Sequence, residues 1–328
     1  MPNIQLEINP FTKLWNKALY GWDLNHIVTG ELKLMLDVSH WVVIPSQFDE
    51  QKFVEKAQAL GLSGLIYKIS DADKGNGRQF YDSTAEFWFN LIQKLKSEYG
   101  MNVVNGGYHW LQQSVDPKSA FDFHNTWVRD HPSRLPYICD FEEPSITSAT
   151  DYLWRLQEWF KHADANNPSG EVSICYTGMG YVSKLKSMLG SAAYQSKMSW
   201  MSSYTLWLAR YSRYSPDMTS LWPWNNKDWK IWQYSPHADW PYFKDEDNKD
   251  GLNWGLQAHG IDMNWAKREY LDYYLGLNVP LPPDEPQPPA PAEPVIMTET
   301  EYWAERIRLD TERNKLLKDL RDSIAMNG

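Results

Sequence analysis

The segment Tyr137-Ile138-Cys139-Asp140-Phe141-Glu142 has the apolar, aromatic-rich composition of a β-strand and carries two carboxylates at alternate positions. Successive side chains of a strand point to opposite faces, so Ile138, Asp140 and Glu142 share one face and Tyr137, Cys139 and Phe141 the other. Residues two apart have α-carbons about 6.6 Å apart, near enough for the two acids to push each other's pKa values apart. One is expected to stay anionic while the other keeps a proton at working pH. Hydrolysis of a glycosidic bond needs that division, because the leaving oxygen must be protonated while positive charge builds on the sugar ring. Glu142, with the longer reach, is the expected acid. Pro144 lacks an amide hydrogen and is expected to end the strand.

An Asp-x-Glu triplet is also common on solvated strand ends, so the pair needs company. Asp37 stands in a first strand with Ser39 on its face, and Asp262 stands in a last strand with Asn264 on its face. If those strands meet at the seam of a closed barrel, Asp37, Asp140, Glu142 and Asp262 ring one mouth. Like charges so gathered cost stability and are tolerated mainly where function requires them.

The elements that must position these acids are legible between residues 34 and 264, where short β-rich runs alternate with helical stretches. Eight candidate strands run over 34–39, 64–70, 102–110, 137–142, 172–177, 205–210, 229–234 and 261–264, enough to close a barrel. Ser46 and Ser83 each precede an acid by three residues (Asp49, Glu86), the capping-box pattern that opens a helix. Further helical stretches lie near 118–129, 149–162 and 181–189. The connections 211–228 and 235–260 are rich in Pro, Asn, Asp and Trp, which favours loops. The expectation is an α/β fold, a modified TIM-like barrel over residues 34–277, with five β/α units followed by three strands. Strand-end acids then lie at the C-terminal mouth, where such barrels keep their chemistry.

Residues 1–33, with Trp15 and Trp22, form an N-terminal extension of unread role. Residues 278–297 are Pro-rich and read as a semi-rigid linker. Residues 298–328 carry an apolar stripe on a helical wheel, which a lone helix cannot bury, so docking or self-association is expected there.

Composition narrows the partners. The net charge of -10 argues against a nucleic-acid backbone, and no apolar run approaches the roughly 18 residues of a membrane helix. Cys139 and Cys175, the two cysteines, sit in strand-like segments and read as reduced core thiols. The 18 Trp and 19 Tyr suit the apolar faces of sugars, although many must serve as core. No cofactor and no metal are expected. The stretch from Asp71 has acids spaced as in a calcium loop, but Gly75 and Asn76 stand where an oxygen ligand and then Gly are wanted.

Leu36-Asp37-Val38-Ser39-His40-Trp41, Gly107-Tyr108-His109, Asp140-Phe141-Glu142, Tyr176-Thr177, Leu206-Trp207-Leu208-Ala209, Trp232-Gln233-Tyr234 and Asp262-Met263-Asn264 follow in this order. In that order and spacing the chain resembles the glycoside hydrolase family 25 muramidases, the Chalaropsis-type lysozymes common among phage endolysins, over residues 34 to 275. The resemblance implies hydrolysis of the β-1,4 bond from N-acetylmuramic acid to N-acetylglucosamine in bacterial peptidoglycan, with net retention. It implies Glu142 as acid/base, Asp140 as nucleophile or as the group orienting the substrate's own N-acetyl oxygen, and Asp37 and Asp262 as shapers of the field. Tyr108, Tyr176, Trp207, Gln233 and Lys68 are implied to bind substrate, and His109 reads as structural. The second strand departs from the family pattern after Lys68.

The N-terminus lacks a basic region followed by an apolar core, so synthesis in a host cytoplasm is expected. Access to the wall would then follow a holin-type lesion or virion delivery, with virion docking as one use of the last helix. The alternatives are a silent wall-binding or virion structural module, separable by wall sedimentation without hydrolysis, and a barrel acting on chitin-type polymers, separable by mass spectrometry of the products.

Overall fold

The structure, a computed structural model, describes residues 32–167, 171–211, 216, 218, 221–225, 229–235, 254–257 and 261–277. The backbone divides into two units, 1–285 and 286–328, and every described residue belongs to the first. The expectations for the N-terminal extension through residue 31, for the Pro-rich linker and for the last helix lie outside the described residues.

The strands are β1 (Leu32–Val38), β2 (Gly64–Ala72), β3 (Gln79–Tyr81), β4 (Val104–Trp110), β5 (Ile138–Asp140), β6 (Ile174–Gly178), β7 (Thr205–Ala209), β8 (Ile231–Ser235) and β9 (Asp262–Lys267). Pairing runs β1-β9-β8-β7-β6-β5-β4-β2, and β1 also pairs with β2, so eight strands close on themselves while β3 hangs on β2 as a hairpin. The helices are α1 (Glu50–Leu60), α2 (Ala85–Ser97), α3 (Pro117–Asp130), α4 (Ala149–Asp164), α5 (Met179–Leu189), α6 (Ser191–Met198) and α7 (Arg268–Tyr274). Five β/α units followed by three strands is therefore the architecture.

The expected parallel sheet holds for all of the ring but its last strand. β9 runs antiparallel to both β8 and β1, which needs no covering helix in the preceding connection. Its first residue, Asp262, consequently lies level with the end of β1, as the Cα partner of Asp37.

Helix starts also differ from the expectation. Ser46 lies in a short 3-10 turn, and the cap of α1 is Asp49, which accepts from Lys52 N at 3.1 Å. Thr84 rather than Ser83 stands before α2 and makes no side-chain cap. At α4 a serine does cap the helix, Ser148 accepting from Asp151 N at 3.2 Å.

Alternation along each strand sorts side chains into two cores. Met35, Ile66, Ile138, Ile174, Ile231 and Ala266 fill the lower barrel interior, closed from below by Tyr270, Leu271 and Leu275 around α7. Leu36, Leu65, Cys139, Cys175, Leu206 and Trp232 point outward into the shell under the helices. Most of the aromatic surplus serves that shell: Trp88, Trp159, Trp224, Trp229 and Trp254 are fully buried. Each such ring removes roughly 150–250 Å² from water, about 4–6 kcal/mol before the entropy of ordering it.

One irregularity matters for the site. Between Lys68 and Ser70 the register of β2 on β4 shifts by a bulge. Lys68 and Asp71 then both face the barrel, and Ser70 is turned outward, where its hydroxyl bridges Nδ1 of His109 (2.9 Å) and of His124 (2.8 Å). Burial pushes His109 down to about 3 and His124 well below its usual value, so both are neutral structural groups, His109 stacked on Trp159.

Candidate active site

At the seam, Asp37 follows Met35 on the inner face of β1 and is buried. Its Oδ2 accepts from Gln233 Nε2 at 3.0 Å and from Asn264 Nδ2 at 2.6 Å. Each amide is held from behind. Gln233 Oε1 accepts from the hydroxyls of Tyr176 (2.9 Å) and Tyr211 (3.1 Å), and Asn264 Oδ1 accepts from Trp207 Nε1 (2.7 Å). Burial lifts Asp37 to about 6, with the bonds from Asn264, Gln233 and Asp262 pulling the other way. Half-buried Asp262 is held well above the carboxylate range by burial and then by the charges of Asp37 and Glu142.

Across the mouth, β5 ends at Asp140, two residues earlier than the sequence suggests. The ladder still continues, since Phe141 N donates to Tyr176 O at 2.9 Å and Thr177 Oγ1 to Phe141 O at 3.0 Å. Parity therefore carries through to Glu142: Cys139 and Phe141 belong to the outer shell, while Ile138 belongs to the interior. Asp140 is buried, and its Oδ1 has no hydrogen-bond partner. Glu142 is half-buried and lines a hollow of about 570 Å³ with Gly178, Tyr181, Ala209, Arg210 and Tyr211. The adjacent Glu143 is a structural acid, accepting from Gln113 N at 2.5 Å and Ser145 Oγ at 2.9 Å.

Burial raises both members of the pair. Glu142 reaches about 7, with Asp37 adding to the effect. Asp140 goes well above its usual value, driven by burial and then Glu142, with Lys68 opposing. Burial therefore opposes the charge on both acids, and Asp140 sits deeper than Glu142.

Lys68, expected to touch substrate, is buried beneath the groove. Its Nζ pairs with Asp71 Oδ2 at 2.5 Å and lies 4.4 Å from the centre of the Trp110 ring, while Gln112 Nε2 donates to Asp71 Oδ1 at 3.0 Å. Tyr176, Trp207 and Gln233 are likewise buried at 6%, 1% and 1% exposure, so they support the acids from below. Tyr108 is half-buried, its ring edge-on to Trp207.

Tyr211, Asn264 and Asp71 belong to the site although sequence reasoning gave them no role. Residues 207, 209 and 211 share one parity, which carries the inner face of β7 past its end and could have pointed to Tyr211. At the rim, His40 donates its backbone N–H to Asp82 Oδ2 at 3.2 Å, and its Nδ1 lies 2.6 Å from the same oxygen. Beside it Trp41 is 73% exposed. No local signal connects His40 to an acid 42 residues away.

The family model of Glycosyl hydrolases family 25 matches residues 36–241. No curated protein matches the chain. Among solved structures, the spore cortex lytic enzyme SleM of Clostridium perfringens is similar at 15% identity, over 72% of this chain and 67% of that one, with a TM-score of 0.49. A family 25 glycosyl hydrolase from Bacillus anthracis is similar at 13% identity over 74% and 92%, TM-score 0.47. The catalytic domain of endolysin ply40 from bacteriophage P40 of Listeria monocytogenes is similar at 16% identity over 75% and 98%, TM-score 0.45. With its acids gathered at one barrel mouth and the family match covering most of the barrel, the chain belongs to glycosyl hydrolases family 25 and is a glycoside hydrolase of the muramidase type.

Proposed function

We propose that the protein cleaves the β-1,4 bond between N-acetylmuramic acid and N-acetylglucosamine in bacterial peptidoglycan, with net retention. The observation that carries this is the placement of Asp140 and Glu142 on the inner face of one strand and its extension at an open mouth, with Glu142 in the hollow beside Tyr211. A carboxyl near pKa 7 is matched to giving a proton to a leaving oxygen at neutral pH and taking one back from water.

Asp140 completes the reading. A buried and a half-buried acid two residues apart, facing a further anion at Asp37, hold at least one proton between them near neutrality. An acetamido N–H donated to Asp140 would stabilise its anion, move that proton to Glu142 and aim the acetyl oxygen at the anomeric carbon. Substrate binding would thereby favour the division of labour that the chemistry needs. Direct attack by Asp140 gives the same stereochemistry.

Purified full-length protein is expected to release reducing ends from peptidoglycan, de-O-acetylated wall included, with N-acetylmuramic acid at the new ends by mass spectrometry. Ends terminating in N-acetylglucosamine would move the substrate to chitin-type polymers, and no release from any wall would leave a binding module. Glu142→Gln should lower turnover about a thousandfold with an unchanged circular dichroism spectrum. On the same family resemblance the enzyme is proposed to serve phage-driven lysis, and mass spectrometry of purified particles separates a virion part from a free lysin.

A further inference from the structure

A carboxyl pair that shares a hydrogen bond has one proton and two candidate owners. Asp37 and Asp262, Cα partners across the seam, are placed to form such a pair, and the neighbours of Asp37 decide between them. The indole nitrogen of Trp207 can only donate, and it lies 2.7 Å from Asn264 Oδ1. The Asn264 amide is thereby turned so that its NH₂ group meets Asp37 Oδ2 at 2.6 Å. A flipped amide would oppose donor to donor at Trp207. Gln233 repeats the arrangement, two tyrosine hydroxyls on its oxygen and its nitrogen on the same Asp37 Oδ2. That oxygen accepts two N–H groups and has no place for a proton.

We propose that Asp262 is the protonated and Asp37 the anionic member of this pair at neutral pH, with Gln233 and Asn264 as positioning residues that keep a fixed negative charge across the mouth from Glu142. Asp37 then accepts a third bond, from the Asp262 hydroxyl, and a carboxylate with three donors keeps its charge where one beside another carboxylate keeps its proton. Burial raises both acids, and in Asp37 the amides of Asn264 and Gln233 oppose that rise. The other titratable groups that Asp37 influences are Tyr108, Asp140, Glu142, Tyr176 and Tyr211, none of them cationic. Lys68 on neighbouring β2 is already paired with Asp71. A fixed anion at Asp37 favours the proton on Glu142, the form a general acid needs, and half-buried Asp262, its one O–H given to Asp37, offers a sugar hydroxyl a neutral acceptor instead of a charge.

The inference rests on Glu142 as the acid, and its test reads the carboxyls directly. Full-length protein labelled with ¹³C at the Asp carboxyls, assigned through the backbone, is titrated by NMR. Asp37 should ionise with a midpoint near 6, and Asp262 should stay protonated through neutrality. Asn264→Ala removes one donor, so the Asp37 midpoint should rise by about one pH unit, and the basic limb of kcat/KM should move down with it. A merely structural Asn264 would lower activity and move neither. Asp262 ionising before Asp37 in the unsubstituted protein, or both midpoints unmoved in the variant, overturns the assignment. Absence of wall hydrolysis would instead remove the functional reading, and the titration would still decide which acid owns the proton.

Discussion

Asp37 and Asp140 are both buried at the same level of one barrel, yet their surroundings are opposite. Asp37 has an oxygen saturated by two amides that are themselves clamped by Tyr176, Tyr211 and Trp207. Asp140 has an oxygen with no partner, and Lys68, the cation that opposes its upward shift, is tied to Asp71. A saturated acid is held still and charged, whereas an acid with an open valence is costly until a ligand supplies the missing donor. The contrast fits the proposed roles, Asp37 setting the field and Asp140 meeting the substrate.

Next to Glu142→Gln, the largest effect should come from Asp140→Asn, which turns part of an acceptor into a donor where the substrate's N–H is expected. A loss of about a hundredfold or more in kcat, with little change in KM, is expected from initial rates of reducing-end release. Asp37→Asn should lose about tenfold, because it acts through the proton on Glu142, and equal losses in the two variants would erase the distinction drawn here.

Stability should move in the opposite sense. Asp37 has a folded pKa of about 6 against an ordinary 3.8, so below 3.8 it is protonated in both states and costs nothing. As pH rises from there through 6 the unfolded chain ionises first and the fold loses stability. Asp37→Asn, whose carbonyl can still accept from both amides, should therefore be more stable than the unsubstituted protein above pH 6, by an amount on the order of 2–3 kcal/mol. Urea unfolding at pH 4 and pH 7.5 reads this, and a gain that is the same at both would refute it. The smallest effect belongs to Tyr211→Phe, which removes one of two hydroxyls from Gln233 and should cost about fivefold in kcat/KM, sharpening the view that the clamp is redundant.

Much of this was legible in the sequence. Alternation in Tyr137 to Glu142 follows from the period of a pleated strand, and the meeting of Asp37 with Asp262 from closure of the first strand on the last. The bulge after Lys68 was not, because strict alternation puts Ser70 on the barrel face and only a register shift on β4 reveals the extra residue. β3, three residues long, is too short to announce itself. The protonation pattern was also hidden: sequence spacing gives the separation of Asp140 and Glu142 but not their depth, and depth decides which of them pays for charge. Trp207 shows the same limit, since an aromatic at a groove position reads as a sugar platform until its burial and its bond to Asn264 are seen.

The closing seam joins residues 32–38 to residues 262–267. During synthesis β1 leaves the ribosome long before its partner exists, so for most of translation Asp37 lacks the amide of Asn264 and β1 presents an open edge. Such distant pairing slows folding and leaves the nascent chain prone to wrong edge contacts. It also means that the mouth is complete only once the last strand, which carries Asp262 and Asn264, has been made.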